Sequence, residues 1–323
     1  KRRQTLIDNV DQIRLSKQLV TLDQNMDLPY DLDSLEAKDA EAEALLGFLA
    51  QMEFRTITRR VADTLGADVP VIDDTPAVGE TASEEAVEAL PFDHANYVQI
   101  TDKTALEDWI AQAEARGWVA VDTETTGLNE MTADLVGVSL AIEPGEAAYI
   151  PLTHRSTADD GLFGSNELAE GQMPLEDALA LLKPLLEDPS VMKIGQNMKY
   201  DAKILARYGI NVAPIDDTLL MSYAMNAGLH NHGMDLLSER YLGHHPIEIK
   251  SLLGSGKSQI TFDRVPVDDA VKYAAEDADI TLRLWKQFKP NLHQKRVTTV
   301  YETMERPLVP VLAEMEMTGI KVD

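Results

Sequence analysis

Asp122 and Glu124 stand two residues apart in Trp118-Val-Ala-Val-Asp-Thr-Glu124, and in a strand residues two apart share a face. Their carboxylates therefore project side by side. Strand interiors disfavour Asp, and two like charges on one face cost free energy unless a cation offsets them. A solvated strand face would account for an isolated D-x-E equally well, so the pair alone does not define a site. A second cluster is Lys193-Ile-Gly-Gln-Asn-Met-Lys-Tyr-Asp201, where Gly195 ends a strand and sets Asn197 and Asp201 one helical turn apart, both pointing one way. A third is Lys272-Tyr-Ala-Ala-Glu-Asp277, with Tyr273 and Asp277 at i and i+4 on a strongly helical run. Each helix alone reads as ordinary surface. Together, three separated segments supply what a site for two hard cations requires: oxygen ligands, positions open to water, and neither His nor Cys. Magnesium or manganese is the implied metal.

These residues need a scaffold, and the pattern around them predicts one. Trp118 to Glu124 and Leu135 to Ile142 read as strands, and the turn Glu143-Pro-Gly-Glu146 leads into a third at Ala147 to Leu152, all antiparallel. Helical spacing over Leu175 to Leu186 and Lys199 to Tyr208 brackets a short strand at Val191 to Ile194. Further helices are predicted over Asp217 to Asn226, Met234 to Tyr241 and Asp268 to Phe288, the first with Asp217 in the N-cap position before Thr218. The expected fold class is α/β with a mixed sheet.

Outside that region the character changes. Residues 1 to 66 show apolar positions at helical spacing, notably Leu45, Leu46, Leu49, Met52 and Phe54 before Arg55, Arg59 and Arg60, and predict a small helical piece. Residues 67–94 are rich in Pro and acids and poor in large apolar residues, which predicts a flexible acidic linker. The main domain is expected over 95–294, followed by a short segment of different origin over 295–323.

Acidic residues outnumber basic ones by 55 to 29, a net charge of -26, which argues against nucleic-acid binding through a basic surface. Metals in a carboxylate cluster offer another route to phosphate, so the charge does not exclude it. The chain has no cysteine, which rules out disulfides and thiolate zinc sites and suits a reducing cytoplasm. No stretch approaches the ~18 consecutive apolar residues of a membrane span, so no membrane association is expected, and a monomer is the simplest state.

The ordered motifs D-x-E, N-x-x-x-D and Y-x-x-x-D resemble the three exonuclease motifs of the DEDD superfamily, in the subclass with Tyr before the last Asp. The wider phrases DTETTGL, EPGEAAYIPL, PLLED, IGQNMKYD and YAAEDADITL resemble the proofreading domain of the bacterial family-A DNA polymerases, over roughly Tyr97 to His293. The flanks are similar to the same family: RLSKQLVTL, LPYDL and LLGFLAQMEFRTI to the end of its 5′-nuclease domain, and Val300 to Asp323 to the first helix of its polymerase domain. The metal-binding acids of that 5′-nuclease would lie upstream of Lys1 and the polymerase motifs downstream of Asp323, so neither activity is expected here.

What the resemblance implies is an RNase H-like fold and a two-metal 3′→5′ exonuclease acting on the single-stranded 3′ end of DNA to release deoxynucleoside 5′-monophosphates. It implies that Asp122 bridges both metals, that Glu124 and Asp277 complete the first site, and that Asp201 holds the second through water. Tyr273 would orient the nucleophile, since a phenol of ordinary pKa near 10 is a hydrogen-bond partner rather than a base at neutral pH. Leu128 and Phe262 would wedge and stack the terminal bases. Gln196, Asn197, Tyr200 and Lys257 would contact the strand. One departure is visible: where some relatives carry a phosphate-touching Arg before the His-x-Met-Asp phrase, Asn231 stands here.

Two motifs lead elsewhere. Gly254-Ser-Gly-Lys-Ser258 looks like the end of a P-loop, but Ser251 stands where that motif needs Gly and no strand precedes it. His230, His232, His244 and His245 read as loop residues rather than zinc ligands. Among rival functions, an RNase D-type RNA exonuclease shares the Tyr-containing motif set, but the polymerase-like flanks argue against it. A catalytically silent scaffold is disfavoured because Asp122, Glu124, Asp201 and Asp277 are all present.

Overall fold

The computed structural model describes residues 2–22, 40–52, 54–68, 91–156, 167–256 and 259–321. They fall into two compact units, Lys1–Asp74 and Thr75–Asp323. The first holds α1 (Arg2–Asp8), α2 (Val10–Val20), α3 (Ala42–Gln51) and α4 (Arg55–Leu65). Leu46 and Leu49 of α3 and Ala62 of α4 are buried, whereas Met52 and Phe54 are exposed. Most of the acidic stretch expected as a linker lies outside the described residues.

The second unit opens with β1 (Val98–Gln99), α5 (Lys103–Arg116), β2 (Trp118–Thr125), β3 (Leu135–Glu143) and β4 (Glu146–Pro151). It continues through α6 (Leu175–Glu187), β5 (Met192–Gly195), α7 (Met198–Arg207), β6 (Ile215–Asp217) and α8 (Thr218–Asn226). Two short helices, α9 (Met234–Leu237) and α10 (Ile249–Leu253), lead to the long α11 (Val267–Gln294). The chain then forms α12 (Thr298–Val300), a π-helical turn at Tyr301–Glu305 and α13 (Arg306–Thr318).

The sheet order is β1-β4-β3-β2-β5-β6. β2, β3 and β4 pair antiparallel as the sequence predicts, while β1, β5 and β6 join in parallel. β1 and β6 were not anticipated: they have only two and three residues, too short for any period to show. A mixed sheet covered on both sides explains why β3 is buried almost throughout.

The two faces carry different side chains. Val119, Val121, Val138, Leu140 and Ile150 face one core with Leu106 of α5, Leu182 and Leu185 of α6 and Ile204 and Leu205 of α7. The other face presents Ala120, Ala141 and Ala147 to Ala270, Ala274 and Ala278 of α11. Small residues on both partners let α11 lie close against the strands, and this carries Tyr273 and Asp277 toward the Asp122 and Glu124 end of β2. Gly137 instead makes room for Tyr149 of the neighbouring strand, because a Cβ there would meet the Tyr149 hydroxyl at 2.1 Å.

Among the described residues, no helix is long and apolar enough to cross a membrane.

Candidate active site

Asp122 and Glu124 lie on the α11 face of β2, where the cross-strand register sets Asp122 opposite Ser139 and Glu124 opposite Gly137. Asp277 comes down from α11. One carboxylate oxygen from each of Asp122, Glu124 and Asp277 lies within 4.8 Å of the others. Glu124 is buried, and its Oε1 has no hydrogen-bond partner among the described residues; Ser139 Oγ, beside Asp122, is in the same condition. A buried, unpartnered carboxylate oxygen facing two further carboxylates is costly unless a cation completes it. The donors are all oxygen, which fits a hard divalent ion.

Asp201 reaches the cluster from α7 and is not one of the three converging residues. Its Oδ1 accepts hydrogen bonds from Thr123 N at 3.0 Å and Thr123 Oγ1 at 2.5 Å. The start of α7 is fixed by Asp217, whose carboxylate accepts from the backbone of Asn197 and Met198 and also caps α8 through Leu219 and Leu220. Burial pushes Asp217 up to about 6 despite those four bonds.

Burial raises all four site carboxyls well above the ordinary carboxylate range. Neighbouring charges add to this: Asp277 acts on Asp122, Asp122 on Asp201, and Asp122, Asp277 and Asp201 on Glu124. The Tyr273 hydroxyl bonds to Asp277 and pulls the other way on that group. Burial first, and then the surrounding carboxylates, raise Tyr273 far above a normal phenol. Its ring packs 5.9 Å from that of Phe262.

The remaining expected residues are placed unevenly. Leu128 is 94% exposed in the loop after β2. Phe262, expected to stack on a base, is only 3% exposed and packs beside His154 and Tyr273. Asn197 and Asp201 do not point one way: Asn197 is the N-cap of α7 with φ 62, outside the helix and exposed, whereas Asp201 is buried. Gln196 has its amide committed within the protein, donating to His232 O at 2.8 Å and accepting from Thr218 Oγ1. Tyr200 donates to Gly127 O at 2.7 Å. Asn231 is exposed and accepts from Gly233 N at 3.0 Å. Lys257 lies outside the described residues, and the segment before Gly254 is a helix, α10, rather than a P-loop strand.

Sequence reasoning missed Thr123, which points to the opposite face from its neighbours and so shows no kinship with them in a D-x-E motif. It also missed Tyr149 and His154 beneath the cluster. Tyr149 follows Ser139 in the row that begins at Asp122, its hydroxyl bonds His154 Nε2 at 2.8 Å, and His154 Nδ1 bonds Val265 O at 3.1 Å. Two buried polar residues closing a chain across 111 positions leave no local signal.

Comparison with known proteins agrees with this geometry. Residues 97–293 match the family profile described as the 3′-5′ exonuclease of A-type DNA polymerases. The chain is 45% identical to DNA polymerase I of Rhizobium leguminosarum, over all of its length and 38% of that relative's. It is 35% identical to DNA polymerase I of Pseudomonas aeruginosa, over 98% of its length and 33% of the relative's. It thus spans little more than a third of the curated relatives it matches. Among solved structures, the POL domain of Pol1 from M. smegmatis in complex with DNA primer-template and dNTP superposes with TM-score 0.52 and 22% identity, over 70% of this chain and 33% of that one. A structure described as the apo form of the nuclease gives TM-score 0.51 and 21% identity, over 69% and 93%. At these identities the likeness speaks for the fold, an RNase H-like mixed sheet flanked by helices.

Proposed function

The chain belongs to the 3′-5′ exonuclease family of A-type DNA polymerases, and from that premise we propose that it hydrolyses the terminal phosphodiester of single-stranded or frayed DNA 3′ ends, releasing deoxynucleoside 5′-monophosphates. The observation that carries this reading is the convergence of Asp122, Glu124 and Asp277 around the unpartnered Glu124 Oε1, with Asp201 anchored alongside.

Asp122, Glu124 and Asp277 would hold one divalent cation and Asp122 with Asp201 a second, magnesium or manganese. Such ions supply activation of the attacking water and charge stabilisation at the leaving 3′ oxygen. The chain's own groups do the rest. Tyr273 stays protonated through neutral pH, so its hydroxyl orients the attacking water as a hydrogen-bonding group and does not remove the proton. Leu128, apolar and exposed, packs against the terminal base and favours an end already unpaired. Phe262 acts as the wall behind Tyr273. Asn197 and Tyr200 line the approach of the strand, while Gln196 shapes it by holding the His232 loop. The flanking assignments, 1–66 as the end of a 5′-nuclease domain, 67–94 as a linker and 295–323 as the start of a polymerase domain, belong to this same proposal.

Degradation of a labelled single strand with and without magnesium tests the reading. Mononucleotides should appear from the 3′ label first, only with metal, and more slowly from a blunt duplex; first release from a 5′ label would refute it.

A further inference from the structure

α7 turns one face toward the loop that follows β2. Tyr200, Lys203 and Arg207 are three and four positions apart and so stand in one row. Tyr200 donates to Gly127 O at 2.7 Å and shares a 2.5 Å hydrogen bond with Thr125 Oγ1. Lys203 Nζ donates to Glu130 Oε1, and Arg207 donates to Glu130 O at 3.1 Å and to Ala133 O. Gly127 and Glu130 flank Leu128. The loop is also closed on itself, with Thr132 N and Ala133 N both donating to Asn129 O at 2.9 and 2.7 Å. An apolar side chain left in solvent is thereby held by its loop on both sides.

Lys203 does more than pin that loop. Its ammonium also donates to Glu316 Oε2 of α13, and Glu316 in turn accepts from Lys199 at 2.6 Å. Lys203 has only 3% of its side chain exposed. The ammonium is thus shared between two carboxylates, those of Glu130 and Glu316. A buried cation with two anionic partners on different elements cannot keep both bonds if either element moves.

We infer that Lys203 is a positioning residue that fixes the Leu128 loop and couples its order to the seating of α13. The functional half of this inference rests on the proposed role of Leu128; the mechanical half does not. α13 therefore acts on the nuclease site without touching substrate.

Two measurements on the full 323-residue chain test this. Hydrogen exchange at the amides of Met131, Thr132 and Ala133 reads the mechanical coupling without any activity. Glu316→Gln, a change on the partly exposed α13 side, should speed exchange in that loop about threefold, and Lys203→Met about tenfold. Faster exchange confined to α13 in Glu316→Gln would overturn the coupling, and this arm stands even if Lys203→Met folds poorly. The second measurement is a mutant cycle with Leu128→Ala, read as KM for a single-stranded oligonucleotide. Glu316→Gln and Lys203→Met should raise KM about three- to fivefold with kcat nearly unchanged, and should raise it no further once Leu128 is Ala. Effects that multiply with Leu128→Ala would overturn the assignment of Lys203 as acting through Leu128. If the wild-type chain releases no nucleotide from a 3′ end, the proposed function fails, while the exchange result still decides the coupling.

Discussion

Asp201 is bonded to Thr123, the residue between the two strand acids, and takes both its backbone N–H and its hydroxyl onto a single oxygen, Oδ1. The fourth carboxylate is thus positioned by the strand that carries the first two. Asp122, Glu124 and Asp277 form the converging group beside it.

That division predicts unequal losses. Asp201→Ala should keep one manganese site and lose the other, with activity abolished, whereas Asp277→Ala should lose the site built on the triad. Asp201→Ala also strands the Thr123 donors in a buried position, which costs roughly 1–3 kcal/mol per unsatisfied group, offset in part by relief of charge repulsion. Isothermal titration with manganese checks the stoichiometry. Retention of both ions by Asp201→Ala would remove Asp201 from the metal centre.

The four raised carboxyls fix how metal-free stability depends on pH. A group whose folded pKa lies above its unfolded value stabilises fully below the unfolded value, near 4 for these acids, and loses that contribution as pH rises through the folded value. Asp122, Glu124, Asp201 and Asp277 are all shifted upward, so they make the metal-free protein less stable from mildly acid to neutral pH. Asp217, raised to about 6, acts in the same direction. Magnesium should reverse the trend at neutral pH, contributing about 2.7 kcal/mol at a hundredfold excess over Kd. Thermal melts between pH 5 and 8 with magnesium or chelator provide the check, and a metal effect independent of pH would contradict it.

His154 works against that trend. Burial holds it down to about 4, so it is neutral, consistent with the Tyr149 hydroxyl donating to Nε2 and Nδ1 donating to Val265 O. A depressed folded pKa gives stability that is present above the ordinary value near 6.5 and lost as pH falls from there through about 4. His154→Gln should therefore lower stability at pH 7 and flatten the acid limb of the stability profile below pH 6. An unchanged acid limb would show that His154 is not what titrates there.

Much of this architecture was legible because its signals are local. Strands β2, β3 and β4 carry long apolar runs and a Pro-Gly turn, and Gly145 adopts the φ of 82 that such a turn needs. The D-x-E pair and the Tyr273–Asp277 turn follow from the periods of strand and helix. Asn197 shows where periodicity fails: its left-handed cap conformation is set by Asp217, twenty positions away, which takes its N–H. Phe262 shows another limit, since an aromatic residue in a loop segment gives no sign of whether the core or a ligand receives its ring. Lys203 looks like a surface lysine, and only the meeting of α7, the Leu128 loop and α13 makes it a buried one.

Tyr273 gives the sharpest separation of ligand from orienting group. Its hydroxyl bonds to Asp277 one turn away, and its ring rests 5.9 Å from Phe262. Tyr273→Phe keeps the ring and that packing and removes only the hydroxyl. The lost bond lets Asp277 rise a little further, because that bond lowers it, so manganese affinity at neutral pH should weaken by no more than about threefold. Turnover should fall far more, roughly 10²-fold, the low end for a group that positions a proton transfer. Because Tyr273 is held well above an ordinary phenol, the wild-type rate should show no alkaline limb from its ionisation, and the Phe variant should keep the shape of the pH profile at a lower level. Asp277→Ala differs in kind, losing metal and rate together. Manganese calorimetry set beside single-turnover rates distinguishes the cases: a Tyr273→Phe protein at wild-type rate would leave the hydroxyl as a structural prop for Asp277, and one that loses metal as completely as Asp277→Ala would make Tyr273 part of the metal centre itself.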